Sequence, residues 1–159
     1  MCKFLVCLFV VLLSAVAANA APKAELFGGY QYTHFHGGTN ANGWNAALTG
    51  NLNSWFGVTA DFSGVYPSGV HFYTYTFGPE LHAYLPIVKP YVHALFGGIR
   101  ATASGASLNG FDMPLGGGVD AGHGPIAWRV AQFDWMSVRF NGVTDKKNVR
   151  ISTGLVVRF

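Results

Sequence analysis

The sequence predicts an all-β fold: an eight-stranded antiparallel up-and-down transmembrane β-barrel, preceded by a cleaved signal peptide. Three observations predict it. Apolar residues recur with period two, and helical spacing is nowhere sustained. Glycine, asparagine or proline interrupts that alternation at regular intervals. Of the 159 residues, 50% are hydrophobic and 15% aromatic, but only 11% are charged, against roughly 25 to 35% on a water-soluble surface. The apolar content excludes disorder. The formal charge of +3 is too small and too scattered for a nucleic-acid partner.

Residues 1–20 read as a secretory signal. Lys3 gives a basic start, an apolar run follows from Phe4 to Val16 broken only by Ser14, and Ala18, Asn19 and Ala20 form a small-residue cleavage pattern. The run is shorter than the ~20 residues a membrane-spanning helix needs. Cleavage after Ala20, with Ala18 and Ala20 as the recognised positions, leaves residues 21–159 as the barrel domain. Both cysteines, Cys2 and Cys7, lie in the removed segment. The mature chain therefore has no disulfide, no thiolate catalysis and no cysteine-ligated metal.

Eight segments follow in order. The first spans 24–36 and leads through a glycine- and asparagine-rich loop at 37–42 to the second, 43–51. A tight turn at 52–55 leads to the third, 56–66, and a short connection at 67–70 to the fourth, 71–84. After a turn at 85–89 comes the fifth, 90–101, then a longer loop at 102–110 and the sixth, 111–122. The turn at 123–125 opens the seventh, 126–140, and a polar loop at 141–147 precedes the last, 148–159. Tight turns at one end and longer loops at the other suit a meander, and the strands have the roughly 9 to 11 residues that a tilted membrane-crossing strand requires.

The strand faces choose between a soluble and a membrane barrel. In the third segment Phe56, Val58, Ala60 and Phe62 oppose Gly57, Thr59, Asp61 and Ser63. In the fourth, Tyr73, Tyr75, Phe77 and Leu81 oppose Thr74, Thr76, Gly78, Glu80 and His82. In the last, Val149, Ile151, Leu155, Val157 and Phe159 oppose Arg150, Ser152, Gly154 and Arg158, with Val156 as the exception. The polar faces are mostly small residues with one or two charges per strand, which suits a narrow interior better than a hydrated exterior. A closed barrel also pairs every backbone amide, as any sheet in hydrocarbon must. Aromatic residues fall into two belts, Trp55 and Trp128 toward the tight-turn end, and Trp44, Tyr66, Tyr73 and Trp135 toward the loop end, as at the two interfaces of a bilayer.

The last eight residues supply a more specific pattern. Ser152, Gly154, Val157 and Phe159 place a polar residue, a glycine, a hydrophobic residue and a terminal aromatic at the spacing of the insertion signal of bacterial outer-membrane barrels. With Phe27-Gly28-Gly29-Tyr30, Gly43-Trp44-Asn45, Phe77-Gly78-Pro79, His93 through Gly98 and Arg129 through Asp134, the chain resembles the small opacity and OmpA-type eight-stranded barrels of Gram-negative bacteria over essentially its whole mature length. No peptidoglycan-binding domain is expected after Phe159, so the resemblance carries no anchoring role. It implies a non-enzymatic integral protein of the outer membrane with a side-chain-filled lumen, contributing to envelope structure or surface contacts. Both termini are then periplasmic and the long loops extracellular. The implied partners are outer-membrane lipids and lipopolysaccharide, and during biogenesis the export and barrel-assembly machineries; the barrel is expected to be a monomer.

On this reading Asp61, Glu80, His82, Arg129, Gln132, Asp134 and Arg150 form a polar network in the lumen, where buried charge is tolerable only when paired. Arg129 shares an alternation face with Ala131, whereas Gln132 and Asp134 suit the lumen equally well. A bulge near Ala131 is therefore expected to reset the alternation.

Other chemistry is weaker. His34, His36 and His71 are candidate metal ligands with no accompanying carboxylate or cysteine, so no metal site is expected. Glu80, His82 and Ser63 are the residue types of a hydrolytic triad, as an outer-membrane lipid A-modifying hydrolase would need, but the His-x-Ser-Asn pattern of such enzymes is missing, and a structural pair in the lumen is the expected reading. Gly116, Gly117 and Gly118 lack the helix and lysine of a phosphate loop and read as close packing in a strand. Lys146 and Lys147 beside Asp145 form a solvated loop cluster. No catalytic residue and no cofactor are expected. The remaining alternative is a secreted soluble barrel holding one small ligand.

Overall fold

A β-sheet with apolar groups on its outer face needs every edge paired, and this chain achieves it by closure. The computed structural model describes residues 21–159; the expected signal, with Ala18 and Ala20, lies outside the described residues. The strands are β1 (Ala24–His34), β2 (Asn40–Asn51), β3 (Phe56–Val65), β4 (His71–His82), β5 (Val88–Ala94), β6 (Phe96–Ala103), β7 (Ala106–Ala121), β8 (Ile126–Phe140) and β9 (Val143–Arg158). All pairings are antiparallel between neighbours, and β1 pairs with β9 to close the ring.

β5 and β6 are two halves of one barrel strand, so the nine elements make eight staves. The fifth segment, expected as one continuous strand, is interrupted at Leu95. The register on either side sets Pro79 of β4 opposite Ala94, and Pro114 of β7 opposite Leu95. Each proline lacks the amide that would complete the ladder. Leu95 keeps a single bond there, donating to the Pro114 carbonyl at 2.9 Å.

The two long loops expected at 102–110 and 141–147 are strand instead. β6 and β7 meet through Ser104 and Gly105 (φ 47° and 83°), and β8 and β9 through Asn141 and Gly142 (φ 46° and 85°). Two consecutive left-handed residues form the type I′ turn, whose twist matches the strands it joins. Strands β7 and β9 are 16 residues long. At ~3.4 Å per residue and a tilt of ~45° they span roughly 38 Å, against an apolar band of ~25 Å. Projecting hairpins thus take the place of long loops at this end. The opposite end carries both chain ends, tied where the Lys23 amide donates to the Phe159 carbonyl at 2.7 Å.

Side-chain direction follows the period-two reading. Phe62, Phe77, Phe133, Trp135 and Leu155 are each at least half exposed on the outside, whereas six of the seven acidic side chains are buried inside. In β8 the burial alternation resets at Val130 and Ala131, both exposed, and the register with β9 shifts between Arg129 and Gln132. This bulge lets Arg129 and Gln132 both point inward. A second shift, between Met136 and Val138, leaves Lys146 and Lys147 exposed on the projecting part of β9.

Candidate functional site

The lumen contains a connected set of ion pairs. Arg150, from β9, donates from Nε to Asp134 Oδ2 of β8 at 2.8 Å and from Nη1 to Asp61 Oδ1 of β3 at 2.7 Å. Asp134 also lies 2.6 Å from His93 Nε2 and accepts from Gln132 Nε2 at 2.7 Å. The Gln132 carbonyl in turn accepts from Arg129 Nη1 and from the Tyr91 hydroxyl. Arg129 grips both oxygens of Asp120, at 2.7 and 3.2 Å, in the bidentate geometry that suits guanidinium to carboxylate. Its planar group lies between the rings of Phe27 and Tyr91, 4.2 and 4.5 Å from their centroids, a cation–π arrangement strengthened by desolvation.

A second cluster fills the lumen toward the chain ends. Lys89 bridges Glu25 and Glu80, the latter at 2.9 Å, and Arg158 donates to Glu25 at 3.0 Å. Glu80 also accepts from Thr59 at 2.9 Å and stands 3.2 Å from His82 Nδ1. Tyr84, in the adjacent turn, accepts from Asn51 at 2.8 Å. Burial first, then the nearby Glu25 carboxylate, hold its hydroxyl well above the ordinary phenol range, so it stays neutral beside the cluster.

Glycine makes room for these side chains. A Cβ at Gly116 would strike Asp134, and one at Gly118 would meet the Tyr91 hydroxyl at 2.7 Å. Gly154 of β9 faces Gly29 across the closing seam, where a Cβ on either would enter the other strand's backbone. Gly154 also stands opposite Arg129 in the β8–β9 register. The same glycine therefore lets the first and last strands close and leaves space beside the arginine.

All seven residues expected in the lumen network are buried there: Asp61, Glu80, His82, Arg129, Gln132, Asp134 and Arg150. They fall into two clusters, with Glu80 and His82 beside Lys89 and the other five around Arg150 and Arg129. Sequence reasoning missed Glu25, Lys89, Tyr91, His93, Asp112 and Asp120. Lys89 falls in an expected turn; the others sit in period-two segments, where a polar side chain on the small-residue face is the available signal.

The six belt residues Trp44, Trp55, Tyr66, Tyr73, Trp128 and Trp135 all lie exposed on the outer face. Trp44 donates to the Tyr66 hydroxyl at 3.0 Å, and Trp135 donates to the Lys146 carbonyl. Of the residues expected to form an insertion signal, Ser152 and Gly154 face the lumen, while Val157 and Phe159 face outward.

The remaining candidates are dispersed. Ser63 bonds Thr74 at 2.6 Å, eight residues along β4 from His82, or roughly 27 Å at ~3.4 Å per residue. These three side chains do not form a triad. His34 bonds Asn40, and His71 packs edge-on against Tyr66. Among the described residues no three histidine, cysteine or carboxylate groups converge as a metal site. A soluble ligand-binding barrel would carry its apolar residues inside, the reverse of the arrangement here.

An apolar wall around a paired ionic interior is the architecture of a barrel that crosses a bilayer. The fold is that of the small outer-membrane β-barrels. Among solved structures, the chain resembles Neisserial surface protein A (TM-score 0.64, 14% identity, covering 86% of this chain and 96% of that one). It also resembles the N-terminal β-barrel domain of OprF from Pseudomonas aeruginosa (0.66, 12%, 89% and 100%). A third is Ail, the attachment invasion locus protein of Yersinia pestis (0.54, 16%, 87% and 99%). No protein-family model matches the sequence, and no curated protein matches it.

Proposed function

We propose that this chain is a non-enzymatic integral protein of the bacterial outer membrane, exported by a signal cleaved after Ala20, whose plugged barrel supports the membrane and presents short hairpins outside. The observation that carries the reading is the separation of charge. Between the aromatic belts the described outer face bears no charged side chain, while six carboxylates, Lys89, Arg129 and Arg150 are buried inside. Outward-facing charge is confined to Lys23 at one end and to Arg100, Arg139, Lys146 and Lys147 at the other.

The even number of staves puts both termini on one side, assigned to the periplasm, and the projecting hairpins outside. Lipids and lipopolysaccharide are the partners of the wall, with the basic residues of the hairpin end at the height of anionic headgroups. Ser152, Gly154, Val157 and Phe159 serve as the assembly signal. Eight strands close upon side chains, so the barrel carries no substantial conductance and functions as a monomer. Electrophoresis of the detergent-extracted protein tests the reading. The folded protein should migrate differently before and after boiling and fractionate with outer membranes; one unchanged band, or recovery in the soluble periplasm, contradicts it.

A further inference from the structure

Ionic pairing in the lumen stops short of its outer mouth. Glu25, Asp61, Glu80, Asp120 and Asp134 each meet a lysine or arginine. Among the described residues the two acidic side chains without such an ion pair are Asp112 and Asp145, and they share one row of the sheet. Asp112 of β7 stands opposite Val138 of β8, which stands opposite Asp145 of β9. Asp112 is completely buried, and no side chain hydrogen-bonds either of its carboxylate oxygens. Buried carboxylates are ordinarily paired or hydrogen-bonded.

That row borders a cavity of about 620 Å³ at the mouth of the barrel. Ile99 and Val138, both buried, form its floor, and Phe35, Phe72 and Phe140 line its wall. The Phe35 and Phe72 rings pack against each other at a tilt of 34°, with centroids 5.1 Å apart. Asp145 is its one lining carboxylate, and among the described residues no lysine or arginine lines it. Arg150, beneath, is committed to Asp61 and Asp134, while Arg100, Arg139, Lys146 and Lys147 are exposed on the hairpins. Binding sites are typically concave, largely apolar and fitted with a few placed polar groups, and volumes of ~300 to 1,000 Å³ suit a small organic molecule. Here the lining carries one carboxylate, Asp145, which also accepts from the Lys147 amide at 3.1 Å, and one imidazole, His36.

We propose that the outer mouth of the barrel is a binding cup for a small amphiphilic amine. The apolar body lies on Ile99, Phe72 and Phe140, and the ammonium group pairs with Asp145, one row position from the buried Asp112 across Val138. An anionic amphiphile is rejected by Asp145, and a neutral one gains only the apolar contact.

Protein refolded into lipid nanodiscs and carrying ¹³C-labelled isoleucine methyl groups gives the test, because Ile99 lines the cup while Ile87, Ile126 and Ile151 are exposed elsewhere. Titration with 4-phenylbutylamine should shift the Ile99 methyl saturably and leave the other three in place. 4-Phenylbutanol should bind about tenfold more weakly, the scale of one ionic contact of intermediate screening, and 4-phenylbutyrate should cause no shift. Asp145→Asn should bring the amine down to the affinity of the alcohol, and Asp112→Asn should weaken it by a smaller factor. Heat-modifiable migration of each variant confirms its barrel; if Asp112→Asn does not fold, Asp145→Asn on the projecting hairpin still decides. Equal binding of amine and alcohol, preference for the carboxylate, no Ile99 shift, or an amine preference unchanged in Asp145→Asn each overturns the proposal.

Discussion

Arg150 and Asp61 meet across the lumen at 2.7 Å, joining β9 to a strand 89 residues earlier in the chain. Neither strand is the other's neighbour in the sheet, so this pair and the Arg150–Asp134 contact bind opposite parts of the wall through the interior. Removing the arginine leaves two carboxylates in a buried site with no cation in its place. Arg150→Met should therefore cost about 3 to 5 kcal/mol, read as a lower urea midpoint for the change in electrophoretic mobility. Asp61→Asn keeps an acceptor for Arg150 and leaves Asp134 in place, and should cost less. Equal midpoints for wild type and Arg150→Met would falsify the structural role of this network.

The closing seam makes a separate prediction. A side chain at Gly154 would enter the backbone of Gly28 and Gly29, and no rotamer relieves a clash made by Cβ itself. Gly154→Val should lower the yield of refolded, heat-modifiable barrel severely. Gly50→Ala, at a position with open space around it, should refold as wild type does. Refolding yields in the same detergent compare the two.

The outer wall can be probed by placing charge on it at different heights. Phe133 is 53% exposed near the middle of β8, and Leu52 is 70% exposed in the turn after β2. Arginine should cost about 2 to 4 kcal/mol at Phe133 and about 0 to 1 kcal/mol at Leu52 in a lipid bilayer. Equilibrium unfolding from lipid vesicles measures both. A wall facing water would tolerate the two substitutions alike.

At the hairpin end, Gly142 has a φ of 85°, where an L side chain is strained. Gly142→Ala should destabilise the β8–β9 turn by about 1 kcal/mol, seen as faster amide exchange of Val143 and Phe140 with little effect near Trp128. Uniformly faster exchange through β8 and β9 would mean that the turn holds the whole stave.

The alternation in 56–66, 71–84 and 148–159 placed Asp61, Glu80, His82 and Arg150 on their observed face because period two survives in any barrel strand. The bulge at Val130 and Ala131 was legible for a related reason: without it, Arg129 and Asp134 could not both avoid lipid. Asn141-Gly142 is a strong hairpin signal, yet the polar residues after it have the composition of a loop. A strand that projects beyond the bilayer has two wet faces and loses the apolar alternation that identifies a strand. Lys89 was hidden because charge next to a turn resembles solvated charge, and only closure of the barrel brings Glu25 and Glu80 to it. The break at Leu95 depends on two prolines, one on each flanking strand, which is a property of register rather than of local sequence. The cup is less visible still, since Ile99, Phe72 and Asp145 meet only when three hairpins converge.

The central claim is that the apolar face of the barrel meets lipid, and the tryptophans report on it directly. Trp44, Trp55, Trp128 and Trp135 are the four in the sequence, and all point outward in two belts. In vesicles of lipids brominated at different depths, their fluorescence should be quenched most strongly by bromines near the headgroups and less by those at the chain ends, while aqueous acrylamide quenches weakly. Strong quenching by acrylamide with no response to bromine at any depth would place this face in water and contradict the account.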